Sequence, residues 1–285
     1  MITKIGELTP EKDSPLLKMW RVEVASGVRP FLRHSHTRFE ITVVDRGSGE
    51  YTTENAVYPM RPGDVFVFSS GEVHCITEAE GGLTITNLHF EPRYLAEHSA
   101  GAFLDFCFSH APDFQSRIPA DKAASLRQSH LCIQQEFEVQ DADFRTAIRS
   151  YLSLMLIELT RRHGYRSYKL DRKQSSLSGI LNVYKYVDEH LDETLTLDTL
   201  ASVAGLTPNY LSHIFKKLNG ISLWDFVTAR RIEKAVRLIR SSDMTMLEIA
   251  LECGFHNTVN FNKAFKKQKG ITPSALKKND ALLSY

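Results

Sequence analysis

The chain has 285 residues, 42% of them hydrophobic and 24% charged, with 35 Lys and Arg against 34 Asp and Glu, a net charge of +1. That length allows two domains with real cores, and the balance is ordinary for a soluble globular protein. No apolar run approaches the roughly 20 residues that span a bilayer, and the first residues lack the basic-then-apolar pattern of a signal peptide.

Four scattered cysteines, Cys75, Cys107, Cys132 and Cys253, have no C-x-x-C spacing. This argues against a disulfide framework or zinc knuckle and fits a reducing cytoplasm. The charge is uneven. Residues 171–285 hold 16 Lys and Arg against 12 Asp and Glu, net +4, while residues 1–170 hold 19 against 22, net −3.

In chain order, residues 18–90 read as β. Lys18–Ala25, Phe39–Asp45, Gly49–Thr53, Asp64–Ser69 and Leu83–Phe90 are short and rich in β-branched or aromatic residues. Turn signals separate them at Asp45-Arg46-Gly47, Arg61-Pro62-Gly63 and Glu80-Gly81-Gly82. Short strands at near-regular spacing predict a barrel or jelly roll. Residues 93–110 read as a short helical segment. From 121 the pattern is helical, with Leu126, Cys132, Ile133 and Phe137 in one segment. A wide stripe of Phe144, Ile148, Tyr151, Leu152, Met155, Leu156 and Leu159 marks the next. This stripe suits packing on the barrel or its neighbouring helix, and also pairing with a second subunit. Residues 164–176 are polar and read as a linker. The remainder is helical, with the last 15 residues or so expected to fray.

Two stretches of this helical region repeat one another. Ala201 and Gly205 match Ala250 and Gly254 at an offset of 49. Leu211, Phe215, Lys216, Lys217, Gly220 and Ile221 match Phe261, Phe265, Lys266, Lys267, Gly270 and Ile271 at an offset of 50. Each copy is a short apolar helix, a turn at glycine and a second helix, the layout of a helix-turn-helix that enters a DNA major groove.

In the first copy Thr207-Pro208 signals a helix start. Leu211, Ile214, Phe215 and Leu218 then face inward, and Asn209, Ser212, His213 and Lys216 face outward. In the second copy Phe261, Ala264 and Phe265 turn inward and leave Thr258, Asn262, Lys263 and Lys266 outside. Asparagine suits adenine, lysine guanine, and Ser or Thr either edge, while the terminal lysines suit phosphate. Trp224 through Ile239 forms one long amphipathic helix between the copies.

Taken together, Tyr210-Leu211-Ser212, Phe215-Lys216-Lys217, Ala229-Arg230-Arg231-Ile232, Glu248-Ile249-Ala250, Gly254-Phe255, Phe265-Lys266-Lys267 and Gly270-Ile271-Thr272-Pro273 resemble the DNA-binding domain of the AraC family of bacterial transcription regulators. The resemblance runs from about 180 to 278. It implies two helix-turn-helix units joined by a long helix. It also implies contacts to double-stranded DNA from Asn209, Ser212, His213, Lys216, Lys217, Thr258, Val259, Asn262, Lys263 and Lys266. His213 and Lys263 stand where arginine is frequent, and Val259-Asn260 where Ser-Tyr or Ser-His is usual. The target sequence therefore cannot be borrowed from relatives.

His34, His36, Glu40 and Gly47 fulfil the first cupin motif, H-x-H-x3-E-x6-G. Gly63-Asp64, Gly71 and His74 resemble the second, with Ser69 replacing its proline and Glu78 its asparagine. Alternation places His34, His36 and Glu40 on one face of an extended chain, with His74 joining from a neighbouring strand.

Three uses of this cluster stay open: a divalent transition metal on His34, His36, Glu40 and His74, the polar lining of an effector site, or structural histidines. Trp20, Arg38, Tyr51, Phe66 and Asn87 would extend an effector site that suits a sugar-like ligand.

The expectation is an α+β chain of two domains. Residues 1–110 form a cupin-like barrel, 111–163 a helical segment, 164–176 a linker and 177–285 the all-α double helix-turn-helix. Its expected function is a cytoplasmic, ligand-responsive, sequence-specific transcription regulator, not an enzyme. The resemblance implies an activator and leaves RNA polymerase open as a partner. DNA, a small-molecule effector and a second copy of the chain are its other expected partners. The rival readings are a metal-dependent cupin enzyme with a DNA-binding tail and a regulator controlled by a protein partner.

Overall fold

The structure, a computed structural model, describes residues 2–8, 16–26, 33–91, 93–96, 106–110, 114–167 and 174–278. They divide into two compact units, one of Met1–Phe31 and Arg38–Leu170, the other of Leu32–Thr37 and Asp171–Ser284.

The first unit is built on one antiparallel sheet. Its strands are β1 (Ile2–Leu8), β2 (Leu17–Val24), β3 (Phe39–Thr53), β4 (Val57–Met60), β5 (Val65–Phe68), β6 (His74–Phe90) and β8 (Arg117–Ile118). They run in the order β1-β2-β6-β3-β5-β8, with β4 paired to β3. Helix α1 (Arg93–Ala96) follows β6, and β7 (Phe106–His110) pairs with β9 (Tyr165–Ser167).

Three sequence expectations change here. The turns at Asp45-Arg46-Gly47 and Glu80-Gly81-Gly82 are instead irregularities inside the two longest strands, where Arg46 pairs with Thr84 and Ser48 with Glu80. Glycine is required at this bulge: Gly47 has φ +78°, and a Cβ would stand 2.7 Å from Leu83 Cα. The cupin-motif glycine is thus a place where β3 and β6 approach each other. Second, Ile2–Leu8 and Val57–Met60 are strands that the sequence reading lacks. Third, among the described residues of 93–110 only Arg93–Ala96 is helical. Phe106–His110 is a strand, as its Phe-Cys-Phe core favours. Residues 97–105 lie outside the described residues.

Both faces of the sheet are covered along the first part of β3, where residues 39–44 are a continuous buried run rather than a clean alternation. Phe39, Ile41 and Val43 face a core shared with α2 (Ala124–Val139) and α3 (Phe144–Arg162). Trp20, Val44, Tyr51, Phe66, Phe68 and Ile85 gather on the opposite face, where the sheet curls over them. The α3 stripe serves as core, since Ile148, Leu152, Met155, Leu156 and Leu159 are all buried.

His130 is a buried titratable side chain in that helical layer. Burial pushes its pKa down to about 3, against the opposing pull of a hydrogen bond to the Ile41 backbone. The folded ring stays neutral while the unfolded chain takes up a proton below pH 6.5. Stability therefore falls as the pH drops from 6.5 toward 3, by up to about 1.4 kcal/mol per pH unit. His130→Leu is expected to flatten the fall in thermal midpoint between pH 6.5 and 5; an unchanged slope would contradict this assignment.

The second unit contains α4 (Gln174–Glu189), α5 (Leu197–Ala204), α6 (Pro208–Asn219), α7 (Leu223–Ser241), α8 (Met246–Glu252), α9 (Thr258–Lys269) and α10 (Pro273–Lys278). Of residues 164–176, 165–167 form β9, 168–173 lie outside the described residues and 174–176 open α4. The expected fraying falls partly on α10, and residues 279–285 lie outside the described residues.

Six of these helices start on a side chain that accepts a backbone N–H. Thr196, Thr207, Ser222, Thr245, Asn257 and Thr272 cap α5 to α10 in turn, and Thr245 and Glu248 complete a capping box. Helix α7, about 28 Å long at 1.5 Å per residue, is tied to its neighbours by the Arg230-Arg231 pair. Arg230 bonds Asp188 at 2.8 Å and Glu233 at 3.1 Å, and Arg231 donates to the carbonyls of Leu191 and Glu193. Both arginines are used to hold the unit together.

Candidate nucleic-acid interface and effector site

The two capped helices α6 and α9 each present one apolar and one polar face. On α6, Leu211, Ile214, Phe215 and Leu218 are buried, while Asn209, Ser212, His213 and Lys216 are exposed and Lys217 is half-buried. Pro208 and the Thr207 cap fix where the helix begins. On α9, Phe261 and Phe265 are buried and Ala264 half-buried. Val259, Asn262, Lys263 and Lys266 are exposed there and Thr258 is half-buried.

Each helix therefore carries a row of donors and acceptors bounded by lysines at its C-terminal end, and each leads from a turn at glycine. An α-helix of this kind fits the major groove, which shows the fullest pattern of donors and acceptors. Asn257, which the sequence reading gave no role, sets the start of α9 by accepting the Asn260 N–H at 2.8 Å. Its signal was the ordinary one of an asparagine before a helix.

In the first unit the effector candidates converge on Glu40, a carboxylate only 2% exposed. Strand β3 turns Glu40 and Thr42 to one side, and β6 turns Asn87 and His89 to meet them, Glu40 pairing with His89 and Thr42 with Asn87 in the register. His89 Nε2 lies 2.9 Å and His74 Nε2 3.1 Å from Glu40 Oε2. Thr42 donates to Oε1 at 2.6 Å, and the Tyr51 hydroxyl donates to the same oxygen at 3.2 Å. Thr42 has one proton, so its 2.7 Å contact with the Asn87 amide is best met with the amide NH2 turned toward it.

His74 Nδ1 lies 2.9 Å from the Glu72 carbonyl, an acceptor, so Nδ1 carries a proton. Nε2 then faces a carboxylate oxygen and is favourable there only with a positive charge between them. Burial works against a charged ring, but Glu40 and the Glu72 carbonyl outweigh it and raise the His74 pKa. Burial, and after it Glu40, pushes the Tyr51 pKa well up, so the phenol stays protonated.

Rings frame this cluster: Phe68 stacks on His74 at 4.2 Å and Trp20 meets His89 edge-on at 4.4 Å. Trp20, Tyr51, Phe66 and Asn87 are therefore brought to Glu40 or its surround. His89 was missed; alternation puts it on the face of Asn87, but only the pairing of β6 with β3 brings it to Glu40. Arg38 pairs with buried Glu91 at 3.5 Å. His34 and His36, their ring centroids 6.0 Å apart, lie in the segment Leu32–Thr37 that groups with the second unit.

The family model of the AraC-like ligand-binding domain matches residues 29–162, and that of a helix-turn-helix domain matches residues 200–279. The Tn10 transposon protein TetD of Escherichia coli is 36% identical over 109 residues, which are 38% of this chain and 79% of TetD. The chain belongs to the AraC family.

This AraC-family chain is also 25% identical over 246 residues to the transcriptional activator RhaR of Escherichia coli, covering 86% of each. Its fold is that of ToxT from Vibrio cholerae, with a TM-score of 0.59 at 10% identity over 94% of this chain and 99% of that one. It is a ligand-responsive, DNA-binding transcription regulator with an N-terminal ligand-binding domain and a C-terminal helix-turn-helix domain. Among the described residues, no helix is long and apolar enough to cross a membrane.

Proposed function

We propose that this AraC-family regulator is a cytoplasmic activator whose N-terminal unit takes a neutral, hydroxyl-rich effector of the carbohydrate class. The buried Glu40 cluster carries this reading. The Glu40 carboxylate already balances the charge on His74 and accepts four contacts, so the cluster offers a second anion no unpaired cation. Hydroxyl groups, by contrast, can donate to Glu40 and accept from the ring nitrogens and the Asn87 amide. Trp20 supplies an apolar ring beside them, the combination of surfaces that sugars use.

ToxT has been solved with an unsaturated fatty acid bound. An acid of that kind would bring its carboxylate toward Glu40 here. The effector acts by binding one arrangement of the protein more tightly than another. The activator assignment is supported by RhaR, and a promoter-bound activator would act through RNA polymerase.

A thermal-shift screen of the full chain against neutral sugars, sugar acids and an unsaturated fatty acid tests the effector class, because a ligand bound only to the folded state raises its stability. Stabilisation by a neutral sugar supports it; stabilisation by the fatty acid alone would sink it.

The helical layer supports a homodimer. Leu154 (56% exposed) and Ile157 (40%) stand one turn apart on α3, and Leu131 and Val139 are exposed on α2. A single sedimenting species of monomer mass at micromolar concentration would count against pairing through this face.

A metal-bound site remains a second reading on one observation. The Glu72 carbonyl holds the His74 ring with Nε2 turned to Glu40, the outer-shell arrangement that orients a metal-ligating histidine. Of the four expected ligands, Glu40 and His74 lie in the first unit and face one another at 3.1 Å. Stoichiometric metal in the purified full chain would favour this reading and, with it, a cupin-type chemistry.

A further inference from the structure

Of the ten side chains read as DNA-facing, Val259 alone is apolar. It is 60% exposed on the first turn of α9. Residues three and four apart share a helix face, so Val259 points where Asn262 and Lys263 point.

The fold gives no reason for a valine there. A β-branched residue is a poor choice for an exposed helix position. The start of α9 is already fixed by the Asn257 cap, and its buried stripe is supplied by Phe261 and Phe265. The first helix-turn-helix copy has polar Asn209 at the matching position, 50 residues earlier. The apolar side chain is therefore particular to the second reading helix.

The edges of the base pairs in the major groove offer hydrogen-bond donors and acceptors and one prominent apolar group, the C5 methyl of thymine. We infer that Val259 packs on a thymine methyl, so that the second recognition helix selects a T·A pair by apolar contact beside the polar contacts of Asn262 and Lys263. This rests on the reading of α9 as a DNA-contacting helix. A cytosine at that base presents only a C5–H where thymine has its methyl, so the valine loses the contact and the pair is discriminated.

The test uses the full chain and duplexes selected from a randomised library. In the tightest-binding duplex each thymine is replaced singly by deoxyuridine, which removes only the methyl group. Affinity is expected to fall about four-fold at one thymine, the worth of one buried methyl group. Val259→Ala is expected to lose a similar factor on the thymine duplex and to be indifferent to deoxyuridine at that position.

If no deoxyuridine duplex binds more weakly, or if Val259→Ala keeps the full sensitivity to it, the inference is overturned. Asn262→Ala and Lys266→Ala separate this outcome from a failure of the underlying reading. If those two also leave affinity unchanged, α9 does not contact DNA at all.

Discussion

Glu40→Ala is expected to destabilise the N-terminal unit by about 3–5 kcal/mol, the usual consequence of removing one partner from a buried charged cluster. The loss comes from what is left behind. His74 keeps its Nδ1–H on the Glu72 carbonyl and its ring against Phe68, so it cannot turn away. Its charge then has no counter-charge from Glu40. Thr42 and Tyr51 lose the buried oxygen to which both donate. Glu40→Gln keeps an acceptor for those hydroxyls and removes only the charge, so it is expected to cost less than the alanine variant. Chemical denaturation of the full chain checks both, and equal losses would mean that the charge is the dominant contribution. Effector-induced stabilisation is expected to vanish in both variants.

Gly254→Ala is expected to cost on the order of 3 kcal/mol or more, whereas Gly205→Ala costs about 1 kcal/mol. The two glycines occupy matching places in the repeat and both have positive φ, +64° at Gly205 and +76° at Gly254. Their surroundings differ. A Cβ at Gly205 meets nothing within 4 Å, so only the backbone conformation is penalised. A Cβ at Gly254 would run into the carbonyl oxygen of Leu191 and lie 2.8 Å from Arg231 Cζ and Nε. It would therefore disrupt the bond from Arg231 to Leu191 as well. At about 4–8 °C per kcal/mol for a domain of this size, the thermal midpoints of the two variants should separate by roughly 10 °C. Coincident midpoints would show that the backbone near Leu191 yields freely.

That pair of glycines illustrates how far the sequence reaches. The repeat, its periodic apolar residues and its cap residues made both helix-turn-helix units legible, because a capped amphipathic helix is encoded locally. Leu211, Phe215, Phe261 and Phe265 lie where their spacing puts them. The unequal packing of Gly205 and Gly254 was not legible, since it depends on Leu191 and Arg231 arriving from elsewhere in the chain.

The sheet was legible in kind and less so in its boundaries. Asp45-Arg46-Gly47 carries the composition of a turn, but pairing of β3 with β6 on both sides of it converts the turn into a bulge. At the effector site, Glu40 and His74 were visible through their motif. His89 was not, because its neighbours on β6 are mostly apolar and its partner becomes adjacent only through strand pairing. Arg230 and Arg231, which composition alone would offer to DNA, prove to be bound to Asp188, Glu233 and two backbone carbonyls.

The outward rows of α6 and α9 have a separate consequence for how such a protein changes over time. Among the described residues, no side-chain hydrogen bond or ion pair within the folded chain engages Asn209, Ser212, His213, Val259, Asn262 or Lys263. Substitutions there leave the caps, the buried phenylalanines and the arginine ties of α7 untouched. A lineage can therefore drift toward a new operator one residue at a time without passing through a poorly folded ancestor, while the same freedom is denied at Gly254 or Glu40.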